Sequence, residues 1–222
     1  PRRRECATAP LVPPGVRAWQ AELELVGVGD EPVDLRRTLA SHGVADLPPN
    51  QIDAGAGTLT TTLALAQGAT TVHVGEGSVG SVRITGRGPR AGVVDTIGYM
   101  LRLDDDLSAF YVLARDDPDL SWAVEGSGRM MRSPTVFEDV VKTICTTNCT
   151  WSATVRMTTA LVDQLGEQAP DGRRSFPEPA AMADADEAFY RDVVRAGYRG
   201  AYLRSLAVSV ADDILDLEAL ND

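Results

Sequence analysis

Lysine is nearly missing from this chain. Of its 21 basic residues only Lys142 is a lysine, and the others are arginines. Any reaction that needs an amine nucleophile therefore has one candidate. Histidine is as scarce, with only His42 and His73, and no Ser-His-Asp or Cys-His constellation can be drawn around them. Three cysteines, Cys6, Cys145 and Cys149, are a sparse set of odd number, which argues against a disulfide framework. No apolar run approaches the roughly 20 residues that span a bilayer, and no signal-peptide core appears, so a soluble, cytoplasmic protein is expected. Positive charge is also short. The formal net charge of −11 counts against indiscriminate nucleic-acid binding, and a DNA-binding protein of this charge would need a local basic surface. Glycine pairs such as Gly86 and Gly88 do not follow the strand, G-x-G-x-x-G, helix pattern, and no internal repeat is present.

What is there divides into two parts. In the first, "WQAELELV" (19–26), "GTLTTTLAL" (57–65), "TTVHV" (70–74) and "SVRIT" (81–85) alternate or are rich in β-branched residues and read as strands. "GEGSVG" (75–80) joins two of them tightly, and "TIGYMLRL" (96–103) reads as a further strand that closes the sheet. "DLRRTLASHG" (34–43) reads as a helix with Gly43 as its C-cap. From Asp104 the period becomes helical, through 105–118 and 119–126. Ser133 is the expected N-cap of the next helix, with Pro134 in its first turn. The expected architecture is α+β: an antiparallel β-sheet domain with a helix over 1–104, then a helical domain over 105–222.

Residues 142–151, "KTICTTNCTW", interrupt the helical part with small hydrogen-bonding residues, Thr146, Thr147, Asn148 and Thr150. Such residues favour helix ends and turns. Helices are expected over 133–148 and about 150–166, with Phe137, Val141, Ile144 and Leu161 buried and Asn148 exposed. Cys145 and Cys149 stand four apart, but a zinc site needs about four ligands and no others lie near them in sequence, so they read as small helix-packing residues. No metal or cofactor is expected. Lys142 follows Glu138 by four, the spacing of a surface ion pair. The segment 191–207 is locally basic, with Arg191, Arg195, Arg199 and Arg204 against Asp192. Within it "AGYRG" (196–200) sets an aromatic ring beside a guanidinium on a glycine-flanked turn. That pair reads either as plain surface or as a probe, with the ring wedged into a base stack and the arginine on a base edge or phosphate.

"RMMRSPTVFEDVVKTICTTNCTW" together with "AGYRGAYLRSLA" resembles the helix-hairpin-helix (HhH-GPD) DNA glycosylases, most closely the 8-oxoguanine and 3-methyladenine branches. The match covers about 96–212, and the sheet region matches only in general character, as in "LPPNQIDAGAGTLTTTLAL". The resemblance implies an antiparallel sheet domain followed by a helical glycosylase domain. It implies base-excision repair on double-stranded DNA with a damaged or unpaired base, hydrolysis of an N-glycosidic bond, and a monomer associated with the nucleoid. By position, Asn148 matches the residue that fills the gap left by a flipped nucleotide, with Thr146 and Thr147 shaping its corner. Tyr198 matches the wedge beside the orphaned base, Arg199 its reader, and Arg204 adds to the DNA-binding surface.

Two departures accompany the match. The 8-oxoguanine branch carries a second arginine five residues beyond the asparagine, and Ala153 stands there here. The family also continues into a Gly-rich hairpin, with a lysine nucleophile in its lyase members and a catalytic aspartate beyond. The chain up to Asp222 carries none of these, so a truncated polypeptide without catalytic residues is expected, and Lys142 matches no catalytic position. The competing expectation is a non-catalytic lesion-binding or interaction protein of the same fold. A small-molecule-binding α+β domain with a coincidental Tyr-Arg turn is a third.

Overall fold

In the first part of the chain, alternation of side chains builds one five-stranded sheet. The computed structural model describes residues 17–221, and Cys6 lies outside them. Strands β1 (Ala18–Glu24), β2 (Gln51–Asp53), β3 (Thr58–Leu63), β4 (Thr70–Glu76) and β5 (Ser81–Arg87) run in the order β1-β5-β4-β3-β2, every pair antiparallel. The register lines up Leu59, Val74, Ile84 and Ala21 across four strands, so one face is continuously apolar. Helix α1 (Leu35–Leu39) and helix α2 (Val93–Met100) cover that face with Leu35, Leu39, Val93, Ile97 and Met100, all buried.

Two expectations are corrected here. Residues 96–103 are not a closing strand but belong mostly to α2, and the sheet ends instead at β1 and at the short β2, which the sequence reading passed over. Val93, Ile97, Met100 and Leu101 recur at helical spacing and are fully buried; a reading begun at Thr96 misses the first of them. Helix α1 also stops at Ala40, short of Gly43, which opens a separate 3-10 turn over Gly43–Asp46. Asp34 caps α1 by accepting the Arg37 N–H at 3.0 Å.

Helix α3 (Ser108–Asp116) and a single 3-10 turn at Ser121–Val124, rather than a second full helix, lead to the helical array. There α4 (Val136–Thr146), α5 (Trp151–Leu165), α6 (Pro179–Asp184) and α7 (Arg199–Ala211) surround a second apolar core. Phe137, Val141, Cys145, Met157, Leu161, Tyr190 and Leu203 lie in it. The true N-cap of α4 is Thr135, whose hydroxyl accepts the Glu138 N–H at 3.2 Å. Ser133 is instead buried, two residues upstream. Glu218 reaches back to the same helix end and accepts the Val136 and Phe137 N–H groups at 3.1 and 3.2 Å.

Lys142 is not on the surface. It is 0% exposed, 2.6 Å from the carboxylate of Glu138, which is itself buried. Its ammonium donates to the Ser133 hydroxyl at 3.3 Å and lies 5.8 Å from the Phe176 ring, so the loop between α5 and α6 covers what a helical wheel alone would leave in water. Burial pushes the Glu138 carboxyl above its usual range, against the pull of Lys142. The sheet is tied to the loop between α5 and α6 by Thr71 to Asp171 at 2.9 Å and by Arg173 to Gln51 at 2.7 Å, and α2 is tied to the 3-10 turn at Glu218–Asn221 by Tyr99 to Asn221 at 2.7 Å. Among the described residues no helix is long and apolar enough to cross a membrane.

Candidate nucleic-acid interface

The polar corner is built by hydroxyls that turn back on the helix they follow. Thr146 Oγ1 donates to the Thr143 carbonyl at 2.7 Å, and Thr147 Oγ1 to the Ile144 carbonyl at 2.8 Å. Both carbonyls belong to the last turn of α4, where backbone acceptors have no helical partner. Asn148 then takes φ of +43°, a left-handed conformation that asparagine tolerates better than most residues, and the chain reverses. Thr150 caps α5 through the Ala153 N–H at 3.3 Å. Thr154, buried on α5, donates to the Cys145 carbonyl at 2.9 Å and locks the two helices together. Asn148 is exposed at the tip, as expected from the sequence.

Two details of this corner differ from the sequence reading. Cys145 is the inward residue of the last turn, whereas Ile144 is only half-buried. Cys149 does not pack between helices; it is exposed in the corner, its thiol donating to the Cys145 carbonyl at 3.2 Å. Burial pushes the Cys145 thiol up to about 12, so it stays protonated and unreactive. Among the described residues no group of three or more His, Cys, Asp or Glu side chains gathers in a metal-binding arrangement.

The second element is the start of α7. Arg195 and Gly197 both adopt positive φ, +57° and +60°, and swing the chain into the helix. Tyr198 precedes the first turn with 56% of its surface exposed, and its ring meets Tyr202 edge-on at 6.2 Å. Arg199 turns the other way. It is 7% exposed, and its Nε donates to the Thr147 carbonyl at 3.0 Å while Nη2 donates to the Asn148 carbonyl at 3.0 Å. Its guanidinium lies 4.6 Å from the Tyr198 ring centre. One side chain thus touches both the asparagine corner and the tyrosine.

The structure therefore brings together Thr147, Asn148, Tyr198 and Arg199, with Thr146 half-buried behind them. Arg204 is not in this group. It stands five residues on from Arg199, on a different face of α7, and donates to the Ala185 carbonyl at 3.2 Å. The basic segment is also less free than its composition suggests, since Arg191 pairs with Asp192 at 2.8 Å. Sequence reasoning missed two exposed aromatics close to these residues in the chain, of which Tyr202 meets Tyr198 and Trp151 has its ring tip by Gly43. Trp151, half exposed at the start of α5, follows the corner directly, and Tyr202 sits one turn after Tyr198. A tryptophan placed in a first helical turn, outside the apolar period of α5, was the available signal.

No protein-family model matches the sequence, and no curated protein does. Solved structures do share its architecture. The 3-methyladenine DNA-glycosylase from Archaeoglobus fulgidus superposes with a TM-score of 0.67 at 19% identity, over 92% of this chain and 69% of that one. The chain has a DNA glycosylase fold. MBOgg1 in complex with a low-affinity DNA ligand gives 0.65 at 17% identity, over 91% of this chain and 68% of that one. The Clostridium acetobutylicum 8-oxoguanine glycosylase/lyase, in complex with dsDNA containing cytosine opposite 8-oxoG, gives 0.63 at 17%, over 84% and 62%. The antiparallel sheet followed by helices that the sequence resemblance implied is thus present, and at these identities the likeness is one of fold.

Proposed function

We propose that this chain works in base-excision repair as a DNA glycosylase-type protein that recognises duplex DNA at a damaged or unpaired base and holds it open. The observation that carries this reading is the exposed ridge in which Asn148 and Tyr198 stand together. Extruding a base costs a few kcal/mol of stacking and pairing, so an opened duplex needs groups that fill the gap and keep it from closing. Asn148, on a tight left-handed turn, suits the gap, and Tyr198, with Tyr202 edge-on beside it, suits a stacking wedge. The division of labour we propose gives the sheet over 1–104 a supporting role and the helical part over 105–222 the contact with DNA. Arg204, away from the ridge, serves the phosphate backbone.

The ridge is made of hydroxyl, amide, aromatic and guanidinium groups. Cleavage of a glycosidic bond calls for a carboxylate near C1′ to stabilise an oxocarbenium-like centre, so the ridge accounts for recognition and not for excision. Lys142, the sole lysine, is enclosed with Glu138 and is no amine nucleophile. Borohydride added to a mixture of the chain and abasic duplex should accordingly trap no adduct on it; trapping abolished by Lys142→Ala would overturn that statement. Recognition is tested by fluorescence anisotropy at low salt, with one duplex containing an abasic-site analogue and one intact. The opened duplex should bind more tightly, and both affinities should fall with salt, because on a chain of net charge −11 the attraction comes from local basic groups on phosphate, whose contacts salt competes away. Equal affinity for the two would remove the reading.

A further inference from the structure

Arg199 has a setting unlike that of its neighbours in the basic segment. Arg191, Arg195 and Arg204 are exposed, whereas Arg199 is buried and bonded to backbone carbonyls on all three of its nitrogens. Nε donates to the Thr147 carbonyl at 3.0 Å and is shared with the Thr147 hydroxyl at 3.2 Å. Nη1 donates to the Ala196 carbonyl at 3.4 Å, and Nη2 to the carbonyls of Asn148, at 3.0 Å, and of Thr147. Of the five N–H donors a guanidinium owns, four are thus directed at the protein's own backbone. Two of the three acceptor residues flank the end of α4, where carbonyls lack helical partners and the helix dipole is negative, a place that favours a buried cation.

We propose that Arg199 is a positioning residue, a staple that fixes the Asn148 corner against the Tyr198 turn, and not a reader of the base opposite the lesion. The inference rests on the reading of the ridge as a tool that holds DNA open. Its physical content is specific. The corner and the turn are far apart in the chain, with Thr147 and Arg199 separated by 52 positions, so their relative placement depends on contacts made across the fold. A planar fork that spans both carbonyls leaves one relative placement, and backbone acceptors make that placement independent of DNA sequence. A base-reading arginine would need free donors at the surface, and this one offers a single N–H from a buried group. Staple and reader make opposite predictions about the orphan base.

The test uses four duplexes, each with an abasic-site analogue opposite C, A, G or T, and an intact control. The variants are Arg199→Ala, Arg199→Lys, Asn148→Ala and the double Asn148→Ala/Arg199→Ala. A staple predicts that Arg199→Ala lowers the preference for opened duplex by about tenfold whichever base stands opposite, the order expected when one charged hydrogen-bonded clamp is lost. It predicts that adding Asn148→Ala to that variant changes little, since the asparagine is already out of place. A loss confined to one opposite base, or additive losses in the double variant, would overturn it. Arg199→Lys keeps the charge but not the fork, and it serves if the alanine variant does not fold. Amide hydrogen exchange at Thr147, Ala153 and Thr154, whose N–H groups bond to the Ile144 and Thr150 carbonyls on either side of the corner, should quicken in it, and unchanged exchange would also overturn the staple. Should the unmutated chain show no preference for opened duplex, the DNA reading falls, while the exchange result still decides whether Arg199 orders the corner.

Discussion

The first turns of α4 and the corner that ends it both carry polar residues, and they use them in opposite ways. At the start, Glu138 and Lys142 are enclosed beside Phe137, Val141 and Phe176, their charges answered only by each other and by Ser133. At the end, Thr146, Thr147 and Thr150 spend their hydroxyls on nearby backbone or neighbouring side chains and leave Asn148 in solvent. The buried pair is costly to desolvate and gains nothing from exposure to a ligand. The hydroxyl bonds of the corner are local, its carbonyls are held from α7 by Arg199, and its outward group is free to act. One helix thus separates a stability device from a recognition device, and substitutions in the two should sort accordingly.

The largest effect is expected at the buried end. Lys142→Ala leaves Glu138 enclosed without its cation and should cost about 3–5 kcal/mol of stability, read from urea unfolding. The paired replacement Lys142→Met with Glu138→Leu, of similar volume, should recover most of that loss, because the desolvation penalty leaves with the charges. A single substitution that costs no more than an ordinary surface change would mean the pair is not enclosed, and the contrast with the corner would fail.

A pH series sharpens the same point. Burial holds the folded-state pKa of Glu138 above its unfolded value, so across the window between the two the native state binds more protons than the unfolded one. Stability from this group is therefore present at the acidic side of the window and is lost as pH rises through the folded-state value. Glu138→Gln should remove that component, and the difference in unfolding free energy between the two proteins should slope with pH across the window. A flat difference would place the carboxyl at an ordinary value and the pair in contact with water.

How far all this could be read in the sequence depended on what decides each feature. Four of the five strands were visible because alternation and β-branching act within a few residues, and the polar corner was visible for the same reason. The burial of Lys142 was not. A glutamate and a lysine four apart look the same in water as under Phe176, and only the distant loop over 171–179 decides between them. Arg199 is a similar case. The sequence set it beside Tyr198, but the inward turn comes from the start of α7 and from carbonyls some fifty residues away. Long-range contacts fix which polar groups are consumed inside the fold, and composition cannot show that.

The smallest effect on stability, and the most telling on binding, should come from Tyr198→Ala. The ring is more than half exposed, and its protein contacts are the edge of Tyr202 and the face of Arg199, so its removal should change unfolding by within about 0.5 kcal/mol. Stacking of an aromatic ring on a base contributes about 1–3 kcal/mol by alanine substitution, and that contribution is available only where the stack is already broken. The affinity for abasic duplex should therefore drop by more than the affinity for intact duplex, and their ratio should shrink towards one. Tyr198→Phe should keep the ratio, because the wedge needs the ring and no hydrogen bond of the Tyr198 hydroxyl is required by the geometry. If Tyr198→Ala weakens both duplexes equally, the tyrosine acts as general surface, and the corner at Asn148 would then be the only recognition element at this end of the helical array.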